Sequence, residues 1–401
     1  MSWEYKTLDQ LGEVSRGRSK HRPRNDPSLF GGDYPFIQTA DVKAANFYIT
    51  EYDTTYNEKG LAQSKLWHPG TLCITIAANI ADTGILAMDA CFPDSVMGFL
   101  PYEGVADVRF VKYCFDILQQ NCKKISQGAA QDNLSWEKLS TILFPAPPIE
   151  VQRRIADMLS VYDDLIENNQ KQIKLLEEAA QRLYKEWFVD LRFPGHETTP
   201  ITDGIPEGWK KDRADAFFNM SIGKTPPRAE KQWFTDGGKG TPWVSISDMG
   251  NSGTYVFDTA EALTAEAISK HNVKVVPADT VLVSFKLTVG RVSITTTDMC
   301  TNEAIAHFLM SDSTMREYTY LYLKYFEYDS LGNTSAISKA VNSKIIKGMP
   351  FVMPDYETVE RFHRIAKPIL DAIKDKQNMN TKLAEARDRL LPKLMNGEIE
   401  V

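Results

Sequence analysis

The residues best suited to chemistry in this chain are cations. Between Arg16 and Arg24 the sequence reads Arg-Gly-Arg-Ser-Lys-His-Arg-Pro-Arg, five cations and one histidine with no acid among them. Such a run can neutralise nucleic-acid phosphates, or it can simply be a solvated loop. A weaker copy, Gly223-Lys-Thr-Pro-Pro-Arg-Ala-Glu-Lys231, occurs later and is again basic and loop-like. Arg16, Arg18, Lys20, Arg22 and Arg24, with Lys224, Arg228 and Lys231, are the expected phosphate contacts. Side chains able to read base edges lie in two polar stretches, Gly128-Ala-Ala-Gln-Asp-Asn-Leu-Ser135 and Ala336-Ile-Ser-Lys-Ala-Val-Asn-Ser-Lys344. Asn and Gln match the donor–acceptor pair of adenine, and Lys matches the acceptors of guanine. Gln38, Gln131, Asn133, Ser245, Lys339 and Asn342 are therefore candidate base readers, with turn formation and helix capping as the alternative use of the same residue types.

Catalytic chemistry finds less support. No Asn-Pro-Pro-Phe/Tyr tetrapeptide or Gly-rich cofactor loop of an amino-methyltransferase occurs, and neither Pro93-Asp94 nor Pro354-Asp355 is followed by the acid-x-Lys of a nuclease. Gly223-Lys224-Thr225 imitates the end of a phosphate-binding loop. Phe218 stands where that loop requires glycine, however, and Pro226-Pro227 would break the helix that must follow. The six histidines lack metal-ligand spacing, and Cys73, Cys91, Cys114, Cys122 and Cys300 form no CxxC. No catalytic residue, metal ligand or disulfide is assigned.

The elements that would position the cations come in duplicate. Trp3 and Gly17 recur as Trp209 and Gly223, and Pro35-Phe-Ile-Gln-Thr-Ala-Asp41 recurs as Pro242-Trp-Val-Ser-Ile-Ser-Asp248, an offset of about 207 in 401 residues. Both basic runs thus hold one position of an internal repeat. Leu72–Ile76 and Val281–Phe285 read as buried strands, and 108–121 and 313–326 carry helical spacing, so each globule is mixed α and β. Each half then closes with a Pro-rich exit and a long helix. In the first helix Ile155, Tyr162, Asn169, Leu176 and Leu183 recur every seven residues, with Met158, Leu165, Leu159, Ile166 and Trp187 beside them; in the second, Ile369, Lys376, Leu383 and Leu390 do, with Ile365, Ala372, Met379 and Ala386 beside them. The apolar stripe of each helix is wider than a two-stranded seam requires, so part of it, with Trp187 and Leu394, is expected to dock a further partner. Asn169 and Lys376 are polar seam residues of the kind that fix register. The organisation expected is a globule over 1–147, a helix over 148–190, a linker over 191–208, a second globule over 209–355 and a second helix over 356–401. The helices would pair as an antiparallel coiled coil in a molecule with a pseudo-twofold internal repeat. Helices of roughly 35 to 40 residues would span roughly 50 to 60 Å, enough to set two reading heads about one DNA turn apart.

Composition fits an ordered protein with ample core for two domains, 43% hydrophobic and 10% aromatic, and the net charge of −7 makes any nucleic-acid contact local. No apolar run approaches the length of a membrane span and no leader precedes Trp3, so a cytoplasmic location is expected.

Several segments carry a family resemblance: the 223–227 loop, Pro242-Trp-Val-Ser-Ile-Ser-Asp-Met249, Pro147-Pro-Ile-Glu-Val-Gln-Arg-Arg-Ile-Ala156, Trp187-Phe-Val-Asp-Leu-Arg-Phe-Pro-Gly-His196, and Leu391-Pro-Lys-Leu-Met-Asn-Gly-Glu-Ile399. Together they make the chain resemble the specificity subunit of Type I restriction-modification systems over essentially its whole length. The resemblance implies two target-recognition domains, each reading half of a split, asymmetric site in double-stranded DNA. It also implies helices that set the spacer and dock two methyltransferase subunits, with restriction/translocase subunits joining that core. S-adenosylmethionine and ATP would then belong to partner subunits, and this chain would need no cofactor. The exit at Met353-Pro-Asp-Tyr-Glu-Thr-Val-Glu360 departs from the family's Pro-Pro and Glu-Gln pattern. A protein-only coiled-coil adaptor and a DNA-modifying enzyme with an unrecognised active site are the competing readings.

Overall fold

In a computed structural model, which describes residues 3–76, 82–125, 136–331 and 341–401, the chain forms two compact units. One comprises Met1–Asn168 with Asn380–Val401, the other Asn169–Met379.

The first unit is organised by a five-stranded sheet in the order Gly12–Arg16, Val96–Pro101, Leu72–Thr75, Thr83–Leu86, Tyr48–Ile49. Leu72–Thr75 is buried along its whole length, which a continuous run of apolar and β-branched residues allows only when both sheet faces are covered. Helix Val108–Ile125 covers one face, where Phe110, Val111, Cys114 and Phe115 share a core with Leu72, Ile74, Ile85 and Phe99. Ile37, Val42, Trp67 and Phe92 cover the other, around Cys73 and Leu86.

The second unit repeats that topology. Its sheet runs Asn219–Ile222, Ile305–Leu309, Val281–Ser284, Val292–Thr295, Tyr255–Val256, with helix Arg316–Tyr325 in the place of Val108–Ile125. In both sheets the fifth strand joins in parallel and the other neighbours are antiparallel.

Two long helices, Ile149–Tyr184 and Tyr356–Met395, contribute to both units. Within the first unit, Ile155, Ala156 and Leu159 share a core with Leu391, Leu394 and Met395, and Asp163 pairs with Arg387 further along, so the helices run antiparallel. Within the second, Trp187 lies 5.7 Å from Phe362, while Glu177 and Gln377 bond to adjacent residues, Thr254 and Tyr255. That pairing is antiparallel too. The two helices begin differently, as the sequence of the second exit anticipates. Buried Gln152 donates to the Val105 and Pro147 carbonyls, both at 2.9 Å, and accepts from the Asp107 amide at 3.1 Å. At the other start Asp355 accepts from the Thr358 amide at 3.0 Å and from the Trp209 indole at 3.0 Å, an N-cap that also ties down the start of the second unit.

Seam positions fall into two groups. Ile155, Asn169, Trp187 and Leu394 are buried, and Tyr162, Leu176, Leu183, Ile369, Lys376, Leu383 and Leu390 are half-buried. Met158, Leu165, Ile365 and Met379, expected beside them, are exposed instead. The cause is geometric: at 3.6 residues per turn a strict seven-residue repeat drifts around the helix, and the stripe is wider than one partner covers.

Candidate nucleic-acid interface

Glycine fixes where each basic run leaves its sheet. Gly17 follows strand Gly12–Arg16, its N–H donates to the Val96 carbonyl at 2.8 Å, and the Arg18 N–H donates to the Phe92 carbonyl at 2.9 Å. Gly223 follows strand Asn219–Ile222, its N–H donates to the Ile305 carbonyl at 3.1 Å, and the Lys224 N–H donates to the Thr301 carbonyl at 2.9 Å. A Cβ at Gly17 would lie 2.3 Å from the Pro93 carbonyl oxygen, and one at Gly223 would lie 2.0 Å from Thr301 Oγ1. Only glycine permits so close an approach, and in both units the next residue is a cation at the same end of the sheet.

The first run is a structured loop. The Lys20 and His21 amides donate to Gln63 Oε1 at 2.6 and 3.0 Å, and Ser64 Oγ donates to the Arg18 carbonyl at 2.8 Å. His21 bonds to Asp26 at 2.7 Å, and the Ser28 amide and hydroxyl, ahead of His21, hold the Asp26 carboxyl down at about 2. All five cations are exposed, yet they are not equivalent. Arg22 bonds back to the Ser19 and His21 carbonyls, and Arg24 pairs with Asp94 at 2.9 Å. Arg16, Arg18 and Lys20 have no side-chain partner for their charge among the described residues.

In the second unit Lys224 and Lys231 likewise project without a charge partner among the described residues. Arg228 does not: it pairs with Glu261 at 2.7 Å and lies over the rings of Phe234 at 4.3 Å and Trp243 at 4.5 Å. Thr225 donates to Glu303. Burial works to raise the Glu303 carboxyl, but the Thr225 hydroxyl, its own backbone and the charges of Lys286 and Arg228 outweigh it and hold it below the usual carboxylate range.

The candidate base readers divide in three. Gln131, Asn133 and Lys339 lie outside the described residues. Ser245 and Asn342 are helix N-caps: Ser245 Oγ accepts from the Asp248 amide at 3.2 Å, and Asn342 Oδ1 accepts from the Lys344 and Ile345 amides, both at 3.0 Å. Exposed Gln38 takes the corresponding place in the first unit, its amide donating to Asp41 at 2.7 Å and its side chain reaching Thr54 at 3.4 Å. Sequence reasoning did not single out the hairpin tip Lys286-Leu287-Thr288, which leaves the same sheet end as Lys224. Its signal was an exposed-type cation and an apolar residue set in a turn between two buried strands. No group of three His, Cys, Asp or Glu residues that could hold a metal occurs among the described residues, and no helix there is long and apolar enough to cross a membrane.

Two units whose five-stranded sheets share one topology, each offering a glycine-set basic loop and each containing antiparallel segments of both long helices, define a duplicated recognition protein. Residues 1–178 and 206–386 both match the family described as the Type I restriction modification DNA specificity domain, and the chain belongs to that family. It is 25% identical to the Type I restriction enzyme MjaIX specificity subunit of Methanocaldococcus jannaschii, over 100% of this chain and 94% of that one. It is 24% identical to the Type I restriction enzyme HindI specificity subunit of Haemophilus influenzae, over 97% of this chain and 98% of that one. The crystal structure of the S subunit of a Type I restriction-modification system from M. genitalium shares the fold, with a TM-score of 0.56 at 14% identity over 98% of this chain and 96% of that one. The chain is thus a DNA-specificity component, a non-catalytic part of a restriction-modification complex.

Proposed function

We propose that each unit reads one half of a bipartite, asymmetric DNA site. The two long helices set the distance between the halves and dock two methyltransferase subunits. The observation that carries this reading is the repeated hydrogen-bond pattern that sends Arg18 and Lys224 from equivalent ends of two matching sheets. A duplicated site on one chain suits a target with two parts, and unequal side chains around it suit parts that differ. Arg16, Arg18 and Lys20 in the first unit, and Lys224 and Lys231 in the second, carry the phosphate contacts, which orient the protein without reading sequence. Methyl transfer and DNA translocation, with their S-adenosylmethionine and ATP, belong to the methyltransferase and restriction subunits, and the complex works in the cytoplasm.

The test is co-expression with the neighbouring methyltransferase, followed by mapping of methylated adenines on genomic DNA. A split motif that changes in one half only when residues 1–145 are exchanged supports two independent reading heads. Absence of site-specific methylation or binding with a verified active partner would refute it and favour a protein-only adaptor.

A further inference from the structure

Leu287 is 96% exposed, more than any other large hydrophobic residue of the described chain, and its φ is 61°. Both facts run against what a leucine gains by folding. An aliphatic side chain in water contributes nothing to the core, and a branched side chain at positive φ is held in a region that favours glycine or asparagine. The hairpin that presents it is nevertheless firmly built. The Ser284 amide donates to the Arg291 carbonyl and the Gly290 amide to the Ser284 carbonyl, both at 2.9 Å. Phe285 is fully buried with its amide bonded to the Ala304 carbonyl at 2.8 Å, and Val289 packs against the main core of the unit. Only Lys286, Leu287 and Thr288 project.

The place of that tip indicates what it meets. Strand Val281–Ser284 pairs with Ile305–Leu309, which pairs with Asn219–Ile222, and the register puts Ser284 opposite Ile305 while Gly223 bonds to the same Ile305 carbonyl. Lys224 and the hairpin therefore leave the same sheet end, and Lys286 acts on Glu303, the carboxylate that holds Thr225. A two-stranded ribbon is narrow enough to enter the major groove of DNA. We infer that the hairpin tip enters a groove of the half-site read by the second unit and that Leu287 is a specificity-determining residue, its isobutyl group packed against base edges. Lys286 and Lys224 straddle the flanking phosphates. The inference rests on the reading of this unit as a DNA-recognition head.

The test uses the complete complex of this chain with its methyltransferase subunits. Binding is measured on a duplex carrying the mapped site and on one whose second half-site is scrambled, for the wild type, Leu287→Asn and Leu287→Gly. Both replacements tolerate the positive φ, and the site is solvent-exposed, so the melting temperature should hold or rise. The expected result is a loss of about tenfold or more on the mapped duplex, less than about twofold on the scrambled one, and an unchanged salt dependence. Equal losses on the two duplexes, or a loss under about twofold on the mapped site, would overturn the assignment. A wild-type complex with no preference between the duplexes would instead overturn the recognition reading itself and this assignment with it, an outcome visible before any variant is made.

Discussion

The Tyr113 hydroxyl donates to Asp163 Oδ2 at 2.6 Å, and the Arg387 guanidinium meets the other oxygen of that fully buried carboxylate. Three elements of the first unit, helix Val108–Ile125 and the two long helices, are thereby fixed to one charge. The partners should differ in cost. Tyr113→Phe removes one bond to a charged group, a loss of about 1.5 to 3 kcal/mol. Arg387→Met leaves the carboxylate buried and unpaired, a loss of about 3 to 5 kcal/mol. Urea unfolding measures both, with exposed Arg389→Met as control; an Arg387 variant no less stable than the control would sink the argument.

Gly17→Ala and Gly223→Ala should each damage their own unit. The added Cβ meets the Pro93 carbonyl oxygen at 2.3 Å at the first position and the Thr301 hydroxyl and Asn302 carbonyl oxygen at 2.0 and 2.2 Å at the second, so at both the obstacle includes backbone that a rotamer change cannot relieve. Overpacking of this kind costs about 1 to 3 kcal/mol and displaces the cation that follows. DNA binding by the assembled complex should fall more than stability does, and wild-type affinity in both variants would show that the glycines do not place Arg18 and Lys224.

His307 should give the second unit an acid limit. The ring is fully buried between Ser221 Oγ and Thr301 Oγ1, each 2.7 Å from a ring nitrogen, and burial lowers its pKa from 6.5 to about 4. In the unfolded chain it protonates near 6.5. Between those values the unfolded state holds the extra proton, so stability is complete above about 6.5 and falls as pH drops toward 4, by up to about 3 kcal/mol. His307→Gln should remove that slope, leaving the loss at lower pH to second-unit carboxylates held below their usual range, such as Glu303. Parallel pH profiles for wild type and variant would refute it.

Much of this was legible in the sequence because it rests on local patterns. Leu72–Thr75 and Val281–Ser284 announce themselves as buried strands through unbroken apolar runs, and the two long helices through their periodicity. The basic loops were legible because charge and repeat position coincide. What stayed hidden depends on partners distant in sequence. Nothing local in Arg228 reports Glu261, Phe234 and Trp243, nor does Asn342 declare whether its side chain reads a base or caps Ser343–Lys347. Leu287 was missed for the opposite reason: an apolar residue beside a buried strand looks like more strand.

Lys224 and Arg228 should separate on mutation. Lys224 has no charge partner among the described residues to give up, so Lys224→Ala should weaken binding to every sequence alike and reduce the log–log salt slope by about 1. Arg228 is spent on Glu261 and two rings, so Arg228→Ala should lower thermal stability and leave the slope close to wild type. Filter or fluorescence binding across a salt series checks both, and a slope reduced by Arg228→Ala would mean that the ion pair opens on DNA.

The exposed apolar stripes of the long helices make the last prediction. In the first unit Met158, Val161 and Leu165 are 44%, 56% and 45% exposed at spacings of three and four residues, which puts them on one face. Soluble monomers rarely leave such a run uncovered, and a helix with one face in the core and an apolar opposite edge has room for a second partner. Trp187 and Leu394, in contrast, are buried within their own units. Trp187→Ala should therefore act on folding, at a cost of about 3 to 5 kcal/mol. Val161→Glu combined with Leu165→Glu should act on assembly: the isolated chain keeps its melting temperature, while co-purification with the methyltransferase subunit is lost. If the double variant still assembles fully, the stripe is not the docking face. If it unfolds the chain, those side chains are covered by the protein itself.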